Sequence, residues 1–255
     1  MNTEVIKLTL KKLHACIVIP TYNNAGTVLQ VVEQALSCCD DVMVVNDGST
    51  DNTSELLHSF DSKIHLIEYI PNRGKGFALR TAFKAATKMG FDYAITIDSD
   101  GQHNIEEIPQ FVNLIQQNPH ALIVGSRSLH APNMPSQNTF ANKFSNFWFT
   151  VQTAHKLPDT QSGYRVYPLQ KIGKMHFFTR RYETELEILV RSAWKGIPLV
   201  ATPIHVYYPP QEERVSHFRP KIDFSRISVL NTFLCLFAII YGYPSMLFHK
   251  LFSSR

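Results

Sequence analysis

The stretch YAITIDSDGQH, residues 93–103, indicates how this chain folds. Its first five residues are apolar, aromatic or β-branched, and the run is short enough to form a buried strand. Asp98, Asp100 and Gln102 follow at alternate positions, and alternate side chains of an extended chain point to the same side. Their oxygen atoms can therefore converge at the end of a strand, where open α/β sheets bind their ligands.

Oxygen donors in this arrangement suit Mg²⁺ or Mn²⁺, which keep open positions for the phosphates of a substrate. A surface turn is the alternative interpretation, because Asp, Ser and Gly are common turn residues. The buried strand directly before Asp98 favours the site for a metal and a diphosphate.

Short apolar runs alternate with helical patterns along the chain. Strands are expected at residues 15–19, 42–45, 64–69, 93–97, 121–124 and 199–208, and helices at residues 25–37, 51–60, 77–89, 105–117, 135–156 and 182–195. This alternation predicts an α/β fold with a mostly parallel sheet flanked by helices. The aromatic residues of the helix at 135–156 either pack on the core or contact lipid.

Composition limits the classes of partner. The 255 residues carry a net charge of +4, which is too small an excess to indicate a nucleic-acid partner and suits an anionic substrate or membrane surface. The four cysteines include no CxxC pair, so we expect neither a zinc site nor disulfides, and a reducing, cytosolic compartment. The N-terminus lacks the apolar core of a signal peptide.

The C-terminal part changes character. Basic residues, among them Arg214 and Arg219, precede an apolar stretch at residues 227–248, which is close to the roughly 20 residues of a bilayer span. Three interpretations stay open: a helix packed on the domain, an interfacial helix pair, or a single span. The basic flanks favour the membrane surface. We expect an α/β domain at residues 1–210 and a membrane-associating segment, a C-terminal apolar helical appendage, at residues 211–255.

Polar motifs end the other predicted strands. They are PTYNN at residues 20–24, NDGSTD at 46–51, NRGKG at 72–76 and GSR at 125–127. Tyr22 is placed to cover a base or ribose, and Asp47 to accept hydrogen bonds from ribose or a base, whereas Asp51 is expected to cap the next helix. Arg127 is suited to bidentate phosphate binding, with a structural ion pair as the alternative.

These motifs, together with DTQSGYR at residues 159–165, occur in an order that resembles the family 2 glycosyltransferases with a GT-A fold. The closest branch is that of the dolichyl- or polyprenyl-phosphate mannose and glucose synthases, and the resemblance covers residues 14–208. It implies a metal-dependent inverting transferase that moves a hexose from a GDP- or UDP-sugar to a lipid phosphate at the cytoplasmic membrane face. The alternative is a glycosyltransferase that acts on a hydroxyl group of a glycolipid or polysaccharide.

The resemblance also implies roles for individual residues. The donor-binding residues would be Pro20, Tyr22, Asn24, Val45, Asp47, Asp98, Ser99 and Arg127. The metal ligands would be Asp98, Asp100 and Gln102, and the catalytic residues Asp100, Arg127 and Asp159, with Asp159 preferred over Glu183 and Glu185 as a base. The basic residues expected to bind the acceptor phosphate are Lys143, Arg165, Arg214 and Arg219. Asn24 and Asn46 stand where that branch often has Glu and Asp, so the base of the donor stays open.

Overall fold

A mixed sheet forms the centre of the computed structural model, which describes residues 2–60, 62–127, 136–208 and 219–252. Its seven strands are β1 Ala15–Thr21, β2 Val42–Asn46, β3 His65–Glu68, β4 Tyr93–Thr96, β5 Leu122–Arg127, β6 Arg165–Pro168 and β7 Leu199–Ile204. They lie in the order β3-β2-β1-β4-β6-β5-β7. Four of the six strand pairs are parallel, so the predicted mostly parallel sheet is confirmed.

Helices cover both faces of this sheet. In the described ranges the α-helices are α1 Thr3–Lys12, α2 Val28–Cys38, α3 Thr53–His58, α4 Lys75–Lys88, α5 Ile108–Gln117, α6 Ser136–Thr153, α7 Leu169–Ile172, α8 Glu183–Trp194, α9 Pro220–Phe237 and α10 Tyr243–Phe252. One face is packed by α1, α2 and α5, and the other by α4, α6 and α8. Because both faces are covered, every residue of β1 and β2 is buried, as expected for parallel strands with continuous apolar sequences.

The antiparallel strand β6 decides what lies beside β4. Thr96, the last residue of β4, pairs with Arg165, the first residue of β6. Residues 159–164 therefore reach the edge of the sheet where β4 ends and Asp98 follows. The sequence did not predict β6, because four residues show no clear alternation and the direction of a strand is set by its partners.

Two further elements differ from the sequence-based expectation. The N-terminal helix α1 was not predicted; Ile6 and Leu10 on one of its faces are buried against the core. The strand expected at residues 199–208 ends at Ile204, and Val206 then forms an isolated bridge with His103. This bridge holds the segment after β7 against the residues that follow Asp98 and Asp100.

The C-terminal segment is helical from α9 through α10. A π-helical turn at Ala238–Gly242 joins the two, two residues before Pro244, which has no N–H to donate. A side chain on Gly242 would overlap the ring of Trp194. The joint therefore lies in close contact with α8.

Candidate active site

The ends of β1, β2 and β4 open into one cavity of about 800 Å³. Residues that line it include Pro20, Tyr22, Asn24, Asp47, Asn72, Lys75, Asp98, Ser99, Asp100, Arg181, Tyr182 and Arg219. The structure thus brings together most of the residues that the sequence assigned to donor binding. They meet because the carboxyl ends of neighbouring parallel strands share one edge of the sheet.

The carboxylate of Asp98, which lines this cavity, has two nitrogen-bearing neighbours, Lys75 and His103. The Nζ atom of Lys75 lies 2.7 Å from Asp98 Oδ1, and Nε2 of His103 lies 3.6 Å from Asp98 Oδ2. Burial opposes ionisation of Asp98, but the positive charge of Lys75 outweighs it, so the pKa of Asp98 lies below its ordinary value. The same ammonium group lies 3.1 Å from Glu185 Oε2.

Asp100 is in the opposite electrostatic situation. Burial and, next, the negative charge of Asp98 raise its pKa above the ordinary value. Its Oδ1 atom accepts a hydrogen bond from the backbone N–H of Gln102 at 3.0 Å. A positive charge placed beside Asp100 would therefore stabilise its ionised form.

The donor set fits a hard divalent cation only in part. No group of three or more His, Cys, Asp or Glu side chains in the described ranges is arranged to hold a metal ion by itself. Asp98 and Asp100 nevertheless line one cavity and supply carboxylate oxygens, and the nearby donors and cations offset only part of the cost of ionising Asp100. Mg²⁺ and Mn²⁺ accept such sites, because they take one or two carboxylates from the protein and other ligands from substrate phosphates.

Asp47 organises the turn at residues 72–74. Its carboxylate accepts hydrogen bonds from the backbone N–H groups of Arg73 at 2.8 Å and Gly74 at 2.7 Å, and from Nδ2 of Asn72 at 2.9 Å. Burial raises the pKa of Asp47, and these donors offset part of that effect. The two motifs NDGSTD and NRGKG therefore form one wall of the cavity together.

The turn after β1 is tied to its neighbours by side chains. Nδ2 of Asn24 donates to Ser99 Oγ at 2.7 Å, while Oδ1 of Asn24 is buried without a hydrogen-bond partner in the described part of the chain. Asp51 accepts from the backbone N–H of Thr53, the first residue of α3, as expected, although the N-cap position itself is Asn52. The side chain of Val45, predicted to bind the donor, instead packs in the core against α4.

Arg127 and Asp159 form a buried ion pair. Nε of Arg127 lies 2.6 Å from Asp159 Oδ2, and Nη2 lies 3.1 Å from Oδ1. Asp159 also accepts from the side chain of Asn142 and from the backbone N–H groups of Gln161 and Ser162. Burial disfavours its charge, but Arg127 outweighs this, so the pKa of Asp159 is lowered. A fully buried, fully bonded carboxylate is poorly placed to take a proton from an acceptor, which corrects the expected role as a base.

The four basic residues expected at the acceptor have different surroundings. Arg165 is fully buried and donates to the carbonyl oxygens of Ser162, Thr160 and Glu185, so its predicted contact with the acceptor is wrong. Lys143 is exposed on α6. Arg219 lines the cavity and lies 3.8 Å from Asp223, whereas Arg214 lies outside the described residues.

Two cavity residues directly before α8, Arg181 and Tyr182, were missed by the sequence analysis. A side chain at Gly74 would overlap Arg181, and one at Gly76 would overlap Thr184. The glycines of the NRGKG motif thus allow α4 and α8 to approach closely. The two glycines of this motif were the sequence signal for a close approach of another segment, but the sequence alone does not reveal which segment approaches.

An apolar surface adjoins the cavity. In the described part of the chain, one helix, Ile222–Phe252, is long and apolar enough to cross a bilayer, with a mean hydropathy of 1.7 and 17% of its most apolar window buried. Its exposed large side chains include Phe233, Ile240, Leu247, Phe248 and Leu251, and α6 adds Phe140 and Phe147. The rings of Phe144 on α6 and Phe224 on α9 lie 5.7 Å apart and connect the two groups. We call these residues the apolar surface.

The same helix is bound to the domain along its length. Nε2 of Gln152 donates to Oδ1 of Asn231 at 2.9 Å, and Oγ of Ser245 donates to the carbonyl oxygen of Trp194 at 2.7 Å. Leu234 is buried against α8 and α6. Of the three interpretations of the tail, the structure shows a helix packed on the domain with its other side exposed.

The family of the chain follows from comparison with known sequences. The model of glycosyl transferase family 2 matches residues 16–173, from β1 to the end of α7. This chain belongs to glycosyl transferase family 2. The expected resemblance is thus confirmed, and the chain is a glycosyltransferase.

Two curated relatives of this family 2 glycosyltransferase carry the names of transferases or synthases of lipid-linked sugars. It is 27% identical over 213 residues to a UDP-N-acetylglucosamine–dolichyl-phosphate N-acetylglucosaminyltransferase of Methanococcus voltae, covering 75% of this chain and 85% of the relative. It is 26% identical over 200 residues to the polyprenol monophosphomannose synthase of Mycolicibacterium smegmatis, covering 74% and 75%.

The fold of this family 2 glycosyltransferase matches solved structures. The glucosyl-3-phosphoglycerate synthase of Mycobacterium tuberculosis, crystallised with Mn²⁺, UDP and glucosyl-3-phosphoglycerate, superposes with a TM-score of 0.67 at 17% identity, covering 93% of this chain and 84% of that one. The expected GT-A fold is therefore confirmed.

Proposed function

We propose that this enzyme transfers a hexose from a UDP- or GDP-sugar to a polyprenyl phosphate, with Mg²⁺ or Mn²⁺. The observation that carries the proposal is the position of the cavity: Asp98 and Asp100 line a space that also reaches Arg219, the residue before the apolar helix. A nucleotide sugar and a lipid phosphate would meet at that edge. The relatives that act on dolichyl or polyprenyl phosphates support this choice of acceptor.

The nucleoside would lie over the ends of β1 and β2, against Pro20, Tyr22 and Asp47. Asn24 offers an unbonded oxygen there. Asp100 and Asp98, with Gln102 beside them, would hold the cation, and Arg181 lies in the same cavity wall, where it can pair with a phosphate. When bound, the cation supplies positive charge to the departing diphosphate. Inversion at the sugar follows when the acceptor attacks from the face opposite that diphosphate.

A phosphate acceptor is already anionic and needs no strong base. This agrees with the state of Asp159, whose oxygens are occupied by Arg127, Asn142 and backbone N–H groups. Arg219 at the cavity and Lys143 on α6, together with Arg214, are the proposed contacts of the acceptor phosphate. A hydroxyl acceptor would need a free carboxylate, and Asp159 does not provide one.

The C-terminal helix would lie along the membrane surface and would not cross the bilayer. Helix Ile222–Phe252 is bonded to the domain at Asn231 and Ser245, so it cannot cross a bilayer without leaving α6 and α8. The apolar surface instead suits burial to the depth of the lipid head groups. We propose the cytoplasmic face, because the four cysteines are free thiols, as expected in a reducing compartment. The segment at residues 211–255 is then the membrane-associating part, and residues 1–210 form the catalytic domain.

The function is tested by transfer from radiolabelled UDP-glucose, UDP-N-acetylglucosamine and GDP-mannose to undecaprenyl phosphate or dolichyl phosphate, with Mn²⁺ and with EDTA. We expect product from at least one donor only with the metal. Transfer to undecaprenol at the same rate as to undecaprenyl phosphate would favour the hydroxyl alternative. No product from any pair would contradict the proposal.

Membrane contact is tested by flotation with vesicles that contain phosphatidylglycerol. Substitution of Phe248 and Leu251 by Ser should release the protein from vesicles. Substitution of Val5 and Leu8 by Ser on α1 is the matched control, because these side chains are 47% and 57% exposed but lie outside the apolar surface. Equal effects of the two double variants would contradict the assignment.

A further inference from the structure

A buried carboxylate on α8 holds the chain segment that leads into this helix. Glu187 is fully buried and accepts hydrogen bonds from the backbone N–H groups of Phe178 and Thr179, both at 3.0 Å. It also accepts from Oγ1 of Thr179 at 2.6 Å and from Nη1 of Arg191 at 3.0 Å. Four donor groups thus converge on one carboxylate that does not line the cavity, and the proposed function gives it no part.

Hydrogen bonds, more than apolar packing, hold the segment beyond Phe177. Phe177 is buried, but the side chain of Phe178 is 83% exposed and that of Arg180 is exposed as well. Besides the bonds to Glu187, the carbonyl oxygen of Arg180 accepts from the backbone N–H of Phe77 at 2.8 Å. Removal of the Glu187 acceptor would leave two partly buried backbone N–H groups without their partner, which favours a different position of the chain.

The held segment leads to a residue of the cavity wall. Arg181 follows Thr179 by two positions and lines the cavity. Its charge partly offsets the rise that burial causes in the pKa of Asp47, so the guanidinium group lies near the end of β2. Within the described ranges Arg181 forms no ion pair. Its guanidinium group is therefore available to a phosphate of the donor.

The start of α4 leaves little space beside this segment. A Cβ atom at Gly74 would lie 2.7 Å from the carbonyl oxygen of Arg180 and 3.2 Å from Cα of Arg181, and one at Gly76 would lie 2.8 Å from the carbonyl oxygen of Arg181. The backbone of Arg180 and Arg181 thus abuts α4, while Glu187 holds the residues before them. A segment released from Glu187 can move only away from α4, and Arg181 would move with it.

We propose that Glu187 is a positioning residue, which fixes Phe178 and Thr179 and thereby holds the guanidinium group of Arg181 at the diphosphate of the donor. The inference rests on the proposed function, because it presumes that a nucleoside diphosphate occupies the cavity. Glu187 itself touches no substrate and acts through Arg181.

The test is a double-mutant cycle on Glu187 and Arg181, with the affinity for a nucleoside diphosphate as the measured quantity. Calorimetric titration of the full chain with UDP and GDP in the presence of Mn²⁺ first identifies the nucleotide that the wild type binds. Arg181→Met should weaken that nucleotide about tenfold, the equivalent of one hydrogen bond to a charged group.

Glu187→Gln keeps the shape of the side chain but replaces one acceptor oxygen by an NH₂ donor. It should weaken the nucleotide about fivefold, because the contact of Arg181 is displaced and not removed. In the Arg181→Met background the same substitution should add less than about twofold, because the group that Glu187 positions is absent. A role in folding alone would not produce this dependence on Arg181.

Two further variants separate the position of the segment from the stability of α8. Thr179→Val removes the hydroxyl donor to Glu187 at nearly constant volume. It should weaken the nucleotide in the same direction, and it provides the test if Glu187→Gln does not fold. Trp194→Phe removes the bond from Nε1 to the carbonyl oxygen of Gln152 at the other end of α8. This control should lower the free energy of unfolding in urea and leave the nucleotide affinity unchanged.

Three results would overturn the positioning role. The first is unchanged affinity in a folded Glu187→Gln variant. The second is an equal loss from Glu187→Gln with and without Arg181, which would show that Glu187 acts by another route. The third is an equal loss in Trp194→Phe, which would show that affinity follows the stability of α8. In all three cases the proposed function stands, whereas a wild type that binds neither UDP nor GDP would refute both.

Discussion

The guanidinium group of Arg127 donates two hydrogen bonds to the carboxylate of Asp159, from Nε to Oδ2 at 2.6 Å and from Nη2 to Oδ1 at 3.1 Å. Arg127 ends β5, and Asp159 lies in the segment before β6, so the pair fastens that segment to the edge of the sheet. The carboxylate of Asp159 is fully buried. Both residues were expected to act on the substrate, and the geometry indicates that they hold the segment before β6 against the end of β5.

Asp159→Asn should therefore lower the stability of the free enzyme. Loss of one partner leaves the buried charge of Arg127 uncompensated, which costs about 3 kcal/mol in the free energy of unfolding. Urea unfolding at pH 7 measures this change. Asp92→Asn, a less buried carboxylate that accepts a hydrogen bond from Gln170, is the control and should cost less than about 1 kcal/mol. Equal stability of Asp159→Asn and wild type would contradict the structural role.

The contribution of Asp159 should depend on pH. Arg127 lowers its folded-state pKa despite burial, and the unfolded value is about 3.9. The folded state therefore holds the proton less tightly, and the stabilisation is complete above the unfolded pKa and lost as pH falls through the folded pKa. The difference in unfolding free energy between wild type and Asp159→Asn should shrink when the pH is lowered from 7 to below about 4. A constant difference across this range would contradict the assignment.

Gly163→Ala should impair catalysis more than it impairs folding. The added methyl group would overlap Asp98 and move its carboxylate, and displacements of about 1 Å at reacting groups can cost roughly a hundredfold in rate. Steady-state kcat with the identified donor measures the effect. Gly26→Ala is the matched control, because nothing lies within 4 Å of the added atom. Equal activities of the two variants would argue against a fixed position of Asp98.

Asp100→Asn should abolish transfer and at the same time stabilise the substrate-free protein. Burial and the charge of Asp98 raise the folded-state pKa of Asp100, so its ionisation at neutral pH costs folding free energy, and the amide removes that cost. We expect a higher free energy of unfolding in urea without metal, together with loss of the stabilisation that Mn²⁺ and nucleotide give to wild type. Normal turnover by this variant would refute the metal site.

Prediction from sequence succeeded where the signal was local. The run at residues 93–97 and the acidic residues behind it lie within eleven positions, so one pattern predicted the strand and the position of Asp98 and Asp100 at its end, where both line the cavity. Prediction from sequence failed for β6 and α1. It failed for β6 because the antiparallel direction of this strand comes from its pairing with β4 and β5. For the tail it left three interpretations open, because length and hydropathy are the same for a spanning and a packed helix.

The sequence by itself determined the alternation of strands and helices and the order of polar motifs along one edge of the sheet, since each depends on residues close together in the chain. Only the tertiary structure decided which charges meet: Lys75 with Asp98 and Glu185, and Arg127 with Asp159. It also buried Arg165, which the sequence could not distinguish from an exposed cation. The physical reason is that these contacts join segments up to about a hundred residues apart, and sheet order and the close approach of α4 to α8 at Gly76 bring them together.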